Sequence, residues 1–318
     1  MSEPHLHTAS DPDFADLDAV ADVLEQLAPT AGSIAPLKRL GSGFFSTAVE
    51  TASGVVFRLG LAPGVELRHA MEARVLPWLK DLLPLPIPSP EWHVRPCEAL
   101  PFGALGYRRL PGLPLDQGVL TMVDHDAVAE QLGSFMFALE QISPAEAEAR
   151  GVPGPGSKVE GLHQTRDESL PIMRSLLGAE GYRQVVVFWE DFLTDTRMRD
   201  FEPVLSHSDL GDNNILVDID ESRVTGVLDW EWMAVADPML NLRGFYRDPS
   251  PSFHTKVFAA YESAGGRLDQ GVYYRLKRDR QVSTFYGILF AARRRDRAAL
   301  EMLIGRLRER GVLTGEDA

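Results

Sequence analysis

The stretch "LSHSDLGDNNILVD", residues 205–218, sets His207, Asp209, Asp212, Asn213 and Asn214 immediately before an apolar run. A tight turn needs one or two Asp or Asn residues, which tolerate left-handed backbone and bond locally. So many groups able to bind a metal or handle a proton exceed that need. The segments that follow, "ILVD" (215–218) and "RVTGVLD" (223–229), read as strands around a turn-like "DIDES". The midpoint of Asn214 and Asp229, (214 + 229)/2 = 221.5, falls in that turn, which predicts an antiparallel hairpin with the two residues facing each other at its open end. An amide oxygen and a carboxylate so placed can share one Mg²⁺, a hard ion that prefers oxygen and keeps waters and phosphate oxygens. Asp209, on the incoming loop, can take the proton of an attacking hydroxyl. The competing reading is a tight loop followed by an ordinary hairpin, because short motifs recur by chance.

Length and composition bound the setting. A chain of 318 residues predicts two lobes. Its 44% hydrophobic and 25% charged residues are a globular balance. No apolar run reaches the roughly 18 residues of a membrane span, so no membrane partner is expected. The acidic start "MSEPHLHTASDPDFADLD" reads as a tail and lacks the apolar core of a secretory signal. Cys97 is the single cysteine, which excludes internal disulfides and cysteine zinc sites and favours a cytoplasmic location. The formal net charge of −14 argues against nucleic acid and is compatible with a cationic small molecule.

Residues 16–27 carry apolar positions at helical spacing. The run "PLKRLGSGFFSTAVETASGVVFRLG" (36–60) predicts a strand, a glycine loop and a hairpin. A helix interrupted by Pro77 is expected over 66–83, an extended connector over 84–90, and strands near 91–96 and 101–109. Beyond residue 111 the pattern turns helical, over 124–142, 165–177, 179–198, 252–264, 272–292 and 295–310. "ARGVPGPGSKVEG" between the first two of these reads as a loop.

His-x-Asp-x-x-x-x-Asn followed by Asp229–Trp230 is the catalytic-loop and metal-loop arrangement of the kinase superfamily. The variant "SHSDLGDNNILVD…VTGVLDWEWMAVADPMLNL" resembles the aminoglycoside phosphotransferase and choline kinase branch. That resemblance, spanning about residues 36–245, implies an α+β, two-lobed protein-kinase-like fold. A small antiparallel-sheet N-lobe with one main helix would occupy 36–108, after an N-terminal tail and helix at 1–35. A larger, mostly helical C-lobe with the catalytic loop, metal loop and acceptor site would occupy 109–318. By the same match, Gly41, Ser42 and Gly43 would close over donor phosphates, and Arg58 would replace the superfamily lysine, paired with Glu72. The backbones of Arg108 and Leu110, in "GYRRLPGLPL" (106–115), would face the adenine. Asp209 would be catalytic, Asn214 and Asp229 would hold Mg²⁺, and ATP or GTP would be the donor.

The acceptor implied is a hydroxyl of a small molecule, with a cationic aminoglycoside antibiotic first and a macrolide, choline-type or homoserine-type acceptor as alternatives. "DNNILVD…VLDW" also resembles hygromycin phosphotransferases, and "AYESAGGR" (260–267) a segment of macrolide phosphotransferases. A monomer or weak homodimer is expected. Two departures stand out. Ser208 replaces the usual glycine, and Asn241 stands where the family carries Asp, keeping an acceptor oxygen but losing charge. Asn241 keeps a rival open, a nucleotide-binding scaffold without turnover. His207 and Asp237 are expected to be structural, and Trp230 and Trp232 to fill space beside the metal loop. "DWEWMAVADP" leaves no room for the activation loop of a protein kinase.

Overall fold

Val55–Gly60 is buried at every position, while Ser46–Glu50 alternates, and this difference decides which strand lies inside the sheet. The computed structural model describes residues 14, 16–43, 45–246 and 251–315, so the acidic stretch before residue 14 lies outside the described residues. The N-lobe contains α1 (Leu17–Leu27), β1 (Lys38–Ser42), β2 (Ser46–Glu50), β3 (Val55–Gly60), α2 (Val65–Leu79), β4 (Pro90–Val94) and β5 (Ala104–Arg108). Its strands form one antiparallel sheet in the order β1-β2-β3-β5-β4, with Arg58 on the central strand between Ala48 and Leu105. Val20, Ala21 and Leu24 of α1 share a core with Val49, Val55, Phe57, Leu59 and Trp92 of the sheet. The N-terminal helix therefore packs as part of this layer.

Helix α2 runs through Pro77, although proline removes a backbone donor from the helix interior. Val75, Leu76 and Leu79 around it are wholly buried, and that burial outweighs the lost bond. This face of α2 continues through Leu83, Leu85 and Ile87 into the core of the second lobe.

The C-lobe comprises β6 (Leu113–Pro114), α3 (Gln117–Leu120), α4 (His125–Glu140), α5 (Pro144–Ala149), α6 (Pro155–Leu176), α7 (Ala179–Thr194), β7 (Val204–Ser206), β8 (Ile215–Asp218), β9 (Arg223–Val227), β10 (Ala234–Ala236), α8 (Met239–Leu242), α9 (Ser252–Ser263), α10 (Val272–Arg293) and α11 (Arg297–Glu309). β6-β8-β9 make a small sheet, and β7 pairs with β10. α4 crosses α9 so closely that a Cβ on Gly133 would lie 2.5 Å from the Ala260 carbonyl carbon. A separate core joins Phe188 and Trp189 of α7 to Phe285 and Ile288 of α10 and Leu307 of α11. No helix among the described residues is long and apolar enough to cross a membrane.

One expected loop is partly helix. α6 begins at Pro155, inside "ARGVPGPGSKVEG", well before the residue 165 start expected from periodicity. Proline at the first turn of a helix loses no bond and brings a suitable φ, so a Pro/Gly-dense string can open a helix as readily as a loop.

Candidate active site

The hairpin built by β8 and β9 closes at Asp218↔Arg223 and Val217↔Val224, then shifts to Leu216↔Gly226 and Ile215↔Val227. Thr225 is the extra residue, and its hydroxyl donates to the Pro111 carbonyl at 2.6 Å. Asn214 thus faces Leu228, whose N–H donates to the Asn214 carbonyl at 2.7 Å, and not Asp229. The symmetric register expected from the sequence is off by one residue: its turn centre lies one residue late, which shifts partners by two, and the Thr225 bulge takes back one of them. Asp229 reaches the cleft by another route, a left-handed backbone with φ of 65°. Asp is one of the few side chains that visit this region.

The amide nitrogen of Asn214 donates to the Asp209 carbonyl at 2.9 Å and, more loosely, to its Oδ2 at 3.4 Å. That fixes the amide and leaves its oxygen as the outward acceptor. Asn214 and Asp229 therefore offer two hard oxygen donors, which fits Mg²⁺ completed by phosphate and water. Among the described residues no group of three His, Cys, Asp or Glu side chains forms a metal cage.

Asp209 projects from a loop held by buried hydrogen bonds. Asn241 Oδ1 accepts from the His207 N–H at 2.9 Å and from Ser206 Oγ at 3.1 Å. The acceptor function expected to survive the Asp-to-Asn change is in use. His207 Nε2 donates to the Leu228 carbonyl at 2.9 Å, while Nδ1 accepts from the Asp209 N–H at 3.2 Å. Burial pushes the His207 pKa down, and its ring rests 4.5 Å from that of Trp230. A neutral imidazole with both nitrogens engaged is a strut between the 207–214 loop and the segment leading to Asp229. Ser208 has φ of 63°, which explains why glycine is usual there. The Asp209 carboxylate is 42% exposed and lies 3.2 Å from Arg243 Nη2, and Arg243 also approaches Asp279 at 3.8 Å. Asp237 is engaged by Arg275 at 2.5 and 3.2 Å, away from this loop.

Across the cleft, Arg58 is only 8% exposed and meets three carboxylates. Nη1 donates to Glu72 at 2.7 Å, and Nη2 donates to Glu231 at 2.7 Å and to Asp229 at 3.3 Å. Burial works against the Arg58 charge, but Glu72, Asp229 and Glu231 outweigh it and hold the guanidinium protonated. Burial pushes Glu72 up to about 7, against the pull of Arg58. Burial and then Asp229 push Glu231 up to about 7. Arg58 alone does not balance Glu72 and Glu231, both taken out of water, and Arg68 acts on them as well.

Gly41 and Ser42 lie within β1, so the expected glycine loop is shorter than its sequence implied. The Gly43 N–H donates to the Ser46 carbonyl at 2.9 Å, which engages it in the β1–β2 turn. A Cβ at Gly41 would meet nothing within 4 Å, and one at Gly43 only the Ser46 carbonyl at 3.8 Å. Folded neighbours do not require glycine there, whereas a closely approaching ligand would. At the hinge, Val55 faces Arg108 while the Arg109 N–H donates to Gly54 at 3.0 Å. The Arg108 peptide groups accordingly point away from β3. Leu110 packs over Gly226 of β9, which ties the segment after β5 to the β8–β9 hairpin.

The sequence model of the phosphotransferase enzyme family matches residues 36–272. The chain belongs to that family. Viomycin phosphotransferase of Streptomyces vinaceus is 24% identical over 197 residues, which are 60% of this phosphotransferase family member and 65% of that relative. The alignment thus spans just under two thirds of the relative's length. Among solved structures, the GDP and kanamycin complex of APH(2")-IIia superposes with a TM-score of 0.77 at 21% identity, covering 92% of this chain and 98% of the other. Macrolide 2'-phosphotransferase MphH from Brachybacterium faecium gives 0.62 at 24% identity, covering 92% and 98%. These likenesses establish the kinase-like two-lobed fold of this family member.

Three side chains around this cleft of the phosphotransferase family member escaped the sequence reading. Glu231 stands two residues after Asp229, with Trp230 wholly buried between them. No periodicity marks it, because Asp229 takes a left-handed backbone and Glu231 opens a turn. Arg68, whose helix face read equally well as solvent-exposed, lies with Cζ 4.3 Å from the Phe45 ring and 4.1 Å from the Trp232 ring. Lys158, in the stretch read as loop, donates to the Trp232 carbonyl at 3.0 Å. Burial, with help from Arg243, pushes its pKa down to about 7. Trp230 fills core as expected, whereas Trp232 also carries these two cations.

Proposed function

We propose that this chain transfers the γ-phosphoryl group of ATP or GTP to a hydroxyl of a small molecule, with an antibiotic as the acceptor class. The observation that carries the reading is the convergence of Asp209, Asn214, Asp229, Arg58 and Glu72. Asn214 is bonded to Asp209, Asp229 lies 3.3 Å from Arg58, and Arg58 lies 2.7 Å from Glu72. In this reading Asp209 accepts the hydroxyl proton and orients the attacking oxygen. Asn214 and Asp229 would hold Mg²⁺, which when bound neutralises phosphate charge. Arg58, steadied by Glu72, draws the donor phosphates into line, and Gly41, Ser42 and Gly43 admit them closely. Arg108 and Leu110 present backbone to the base. Residues 36–108 then act as the nucleotide lobe and 109–318 as the catalytic and acceptor lobe, in a monomer or weak homodimer.

An aminoglycoside is the first acceptor reading, supported by the net charge of −14 and by neighbours solved with kanamycin or gentamicin. A macrolide is the second. It is favoured by Arg243 beside Asp209, with Lys158 near both, because these cations oppose a polycation at that point. The test is ADP or GDP release with kanamycin, gentamicin, hygromycin, erythromycin, viomycin, choline and homoserine, run beside Asp209→Asn. Turnover with one class, abolished by the substitution, is the expected result. Nucleotide binding without turnover across the panel would overturn the antibiotic reading.

A further inference from the structure

Arg68 and Lys158 differ from the other cations around the cleft. Arg58 has Glu72 and Glu231, Arg243 has Asp209, and Arg109 has Glu50. Among the described residues neither Arg68 nor Lys158 makes a direct ion pair, although Glu231, Glu72 and Asp229 act on Arg68, and Asp279 and Asp209 on Lys158, from farther away. The Arg68 Nη1 is buried without a hydrogen-bond partner, and its guanidinium lies against the rings of Phe45 and Trp232. The Lys158 ammonium has the Trp232 carbonyl at 3.0 Å and stands 5.6 Å from the Trp232 ring centre. Two cations held partly out of water with no carboxylate in contact are costly, and the arrangement is relieved when an anion arrives between them.

We propose that Arg68 and Lys158, gathered around Trp232, form an anion site for the terminal phosphoryl group of the nucleotide donor. The proposal rests on the phosphotransfer reading above and goes beyond its Arg58 and metal-loop contacts. Location argues for this anion. Phe45, two residues past Gly43, touches Arg68 and meets Trp232 edge-on at 5.5 Å, so the glycine turn borders the pair. On the other side, Lys158 is close enough to Asp209, Arg243 and Arg68 for their charges to act on it. A terminal phosphoryl group passing to a hydroxyl held by Asp209 travels between these two boundaries. Arg68 brings a planar fork suited to phosphate oxygens, and Lys158 a compact charge. One cation comes from each lobe, so the site is complete only when the lobes meet. Burial depresses the charged form of both, and a phosphoryl dianion between them restores it.

The experiment is titration calorimetry of the full-length protein with Mg²⁺ and either ADP or a non-hydrolysable ATP analogue. Lys158→Met and Arg68→Gln are each expected to lower the preference for triphosphate over diphosphate by about tenfold or more, leaving ADP affinity within about threefold. Lys158→Arg keeps the preference. Circular dichroism confirms folding, and if Arg68→Gln unfolds, the two Lys158 variants decide. Cations that merely staple the lobes together would weaken both nucleotides equally. An unchanged preference in both neutral variants would overturn the site while leaving the phosphotransfer reading intact. A wild-type protein that binds neither nucleotide would overturn that reading, and the site with it.

Discussion

Arg58 Nη2 and Glu231 Oε2 lie 2.7 Å apart, joining the central strand of one lobe to the segment after Asp229 in the other. The same nitrogen is 3.3 Å from Asp229. The cation that would receive phosphates is therefore held by carboxylates on both sides of the cleft. Their surplus negative charge stands where a polyphosphate would enter.

Glu231→Gln keeps an acceptor for Arg58 and, at a pH well above the value of about 7 to which burial pushes Glu231, removes one of those charges. Binding of ATP without Mg²⁺ is expected to tighten by about three- to tenfold, since repulsion in a poorly solvated cleft is strong. Titration calorimetry with and without Mg²⁺ measures it. Weaker binding would show instead that Glu231 holds Arg58 where the phosphates need it.

Asn241 accepts two buried hydrogen bonds from the catalytic loop, one from the His207 N–H and one from Ser206 Oγ. Asn241→Ala leaves the His207 N–H unpaired, at a cost of about 1–3 kcal/mol for a buried polar group, while Ser206 Oγ keeps its contacts with Ser208. Urea denaturation is expected to show that loss. Asn241→Asp is expected to support turnover within a few-fold of wild type, because the acceptor oxygen is retained and acquires charge. A collapse of activity in Asn241→Asp would mean that the Nδ2 contact to Leu205, at 3.4 Å, matters more than the oxygen.

The sequence marked most elements because periodicity and local motifs report burial directly. The helices at Leu17–Leu27, His125–Glu140 and Ser252–Ser263 lie where apolar spacing put them. The loop at 207–214 and the Arg58–Glu72 pair were legible as motifs. What escaped depends on distant chain. Thr225 bulges with its hydroxyl on Pro111, a contact across 114 positions that turn symmetry cannot show. Arg68 and Lys158 meet only through Trp232, and Pro155 opens a helix because α6 packs there.

Asp209→Asn removes the proposed proton acceptor yet keeps its size and its contact with Asn214. A fall in kcat of about 10²–10⁴ is expected, the range for a positioned acid or base. Nucleotide affinity should stay within about threefold, because Asp209 faces Arg243 and not the Arg58 cluster. Stopped-flow release of ADP and equilibrium nucleotide binding separate these effects. Equal losses in both would point to a disturbed loop and count against the proton-acceptor role.

His69, on α2, is 1% exposed and neither ring nitrogen has a hydrogen-bond partner. Burial, then Arg58 and His93, push its pKa from 6.5 down to about 3. Between those values the unfolded chain binds a proton that the folded chain refuses. The stability tied to this residue is therefore complete above about pH 6.5 and falls as the pH drops toward 3, by at most about 1.4 kcal/mol per pH unit. His69→Leu removes the titrating ring and two orphaned polar atoms while keeping an apolar, helix-favouring side chain. Denaturation at pH 7.5 is expected to show equal or greater stability, by up to about 1 kcal/mol. Across pH 6.5 to 4 the variant should lose less stability than the parent. If the two curves run parallel through that window, His69 is protonated in the folded protein, and the neutral burial argued here is wrong.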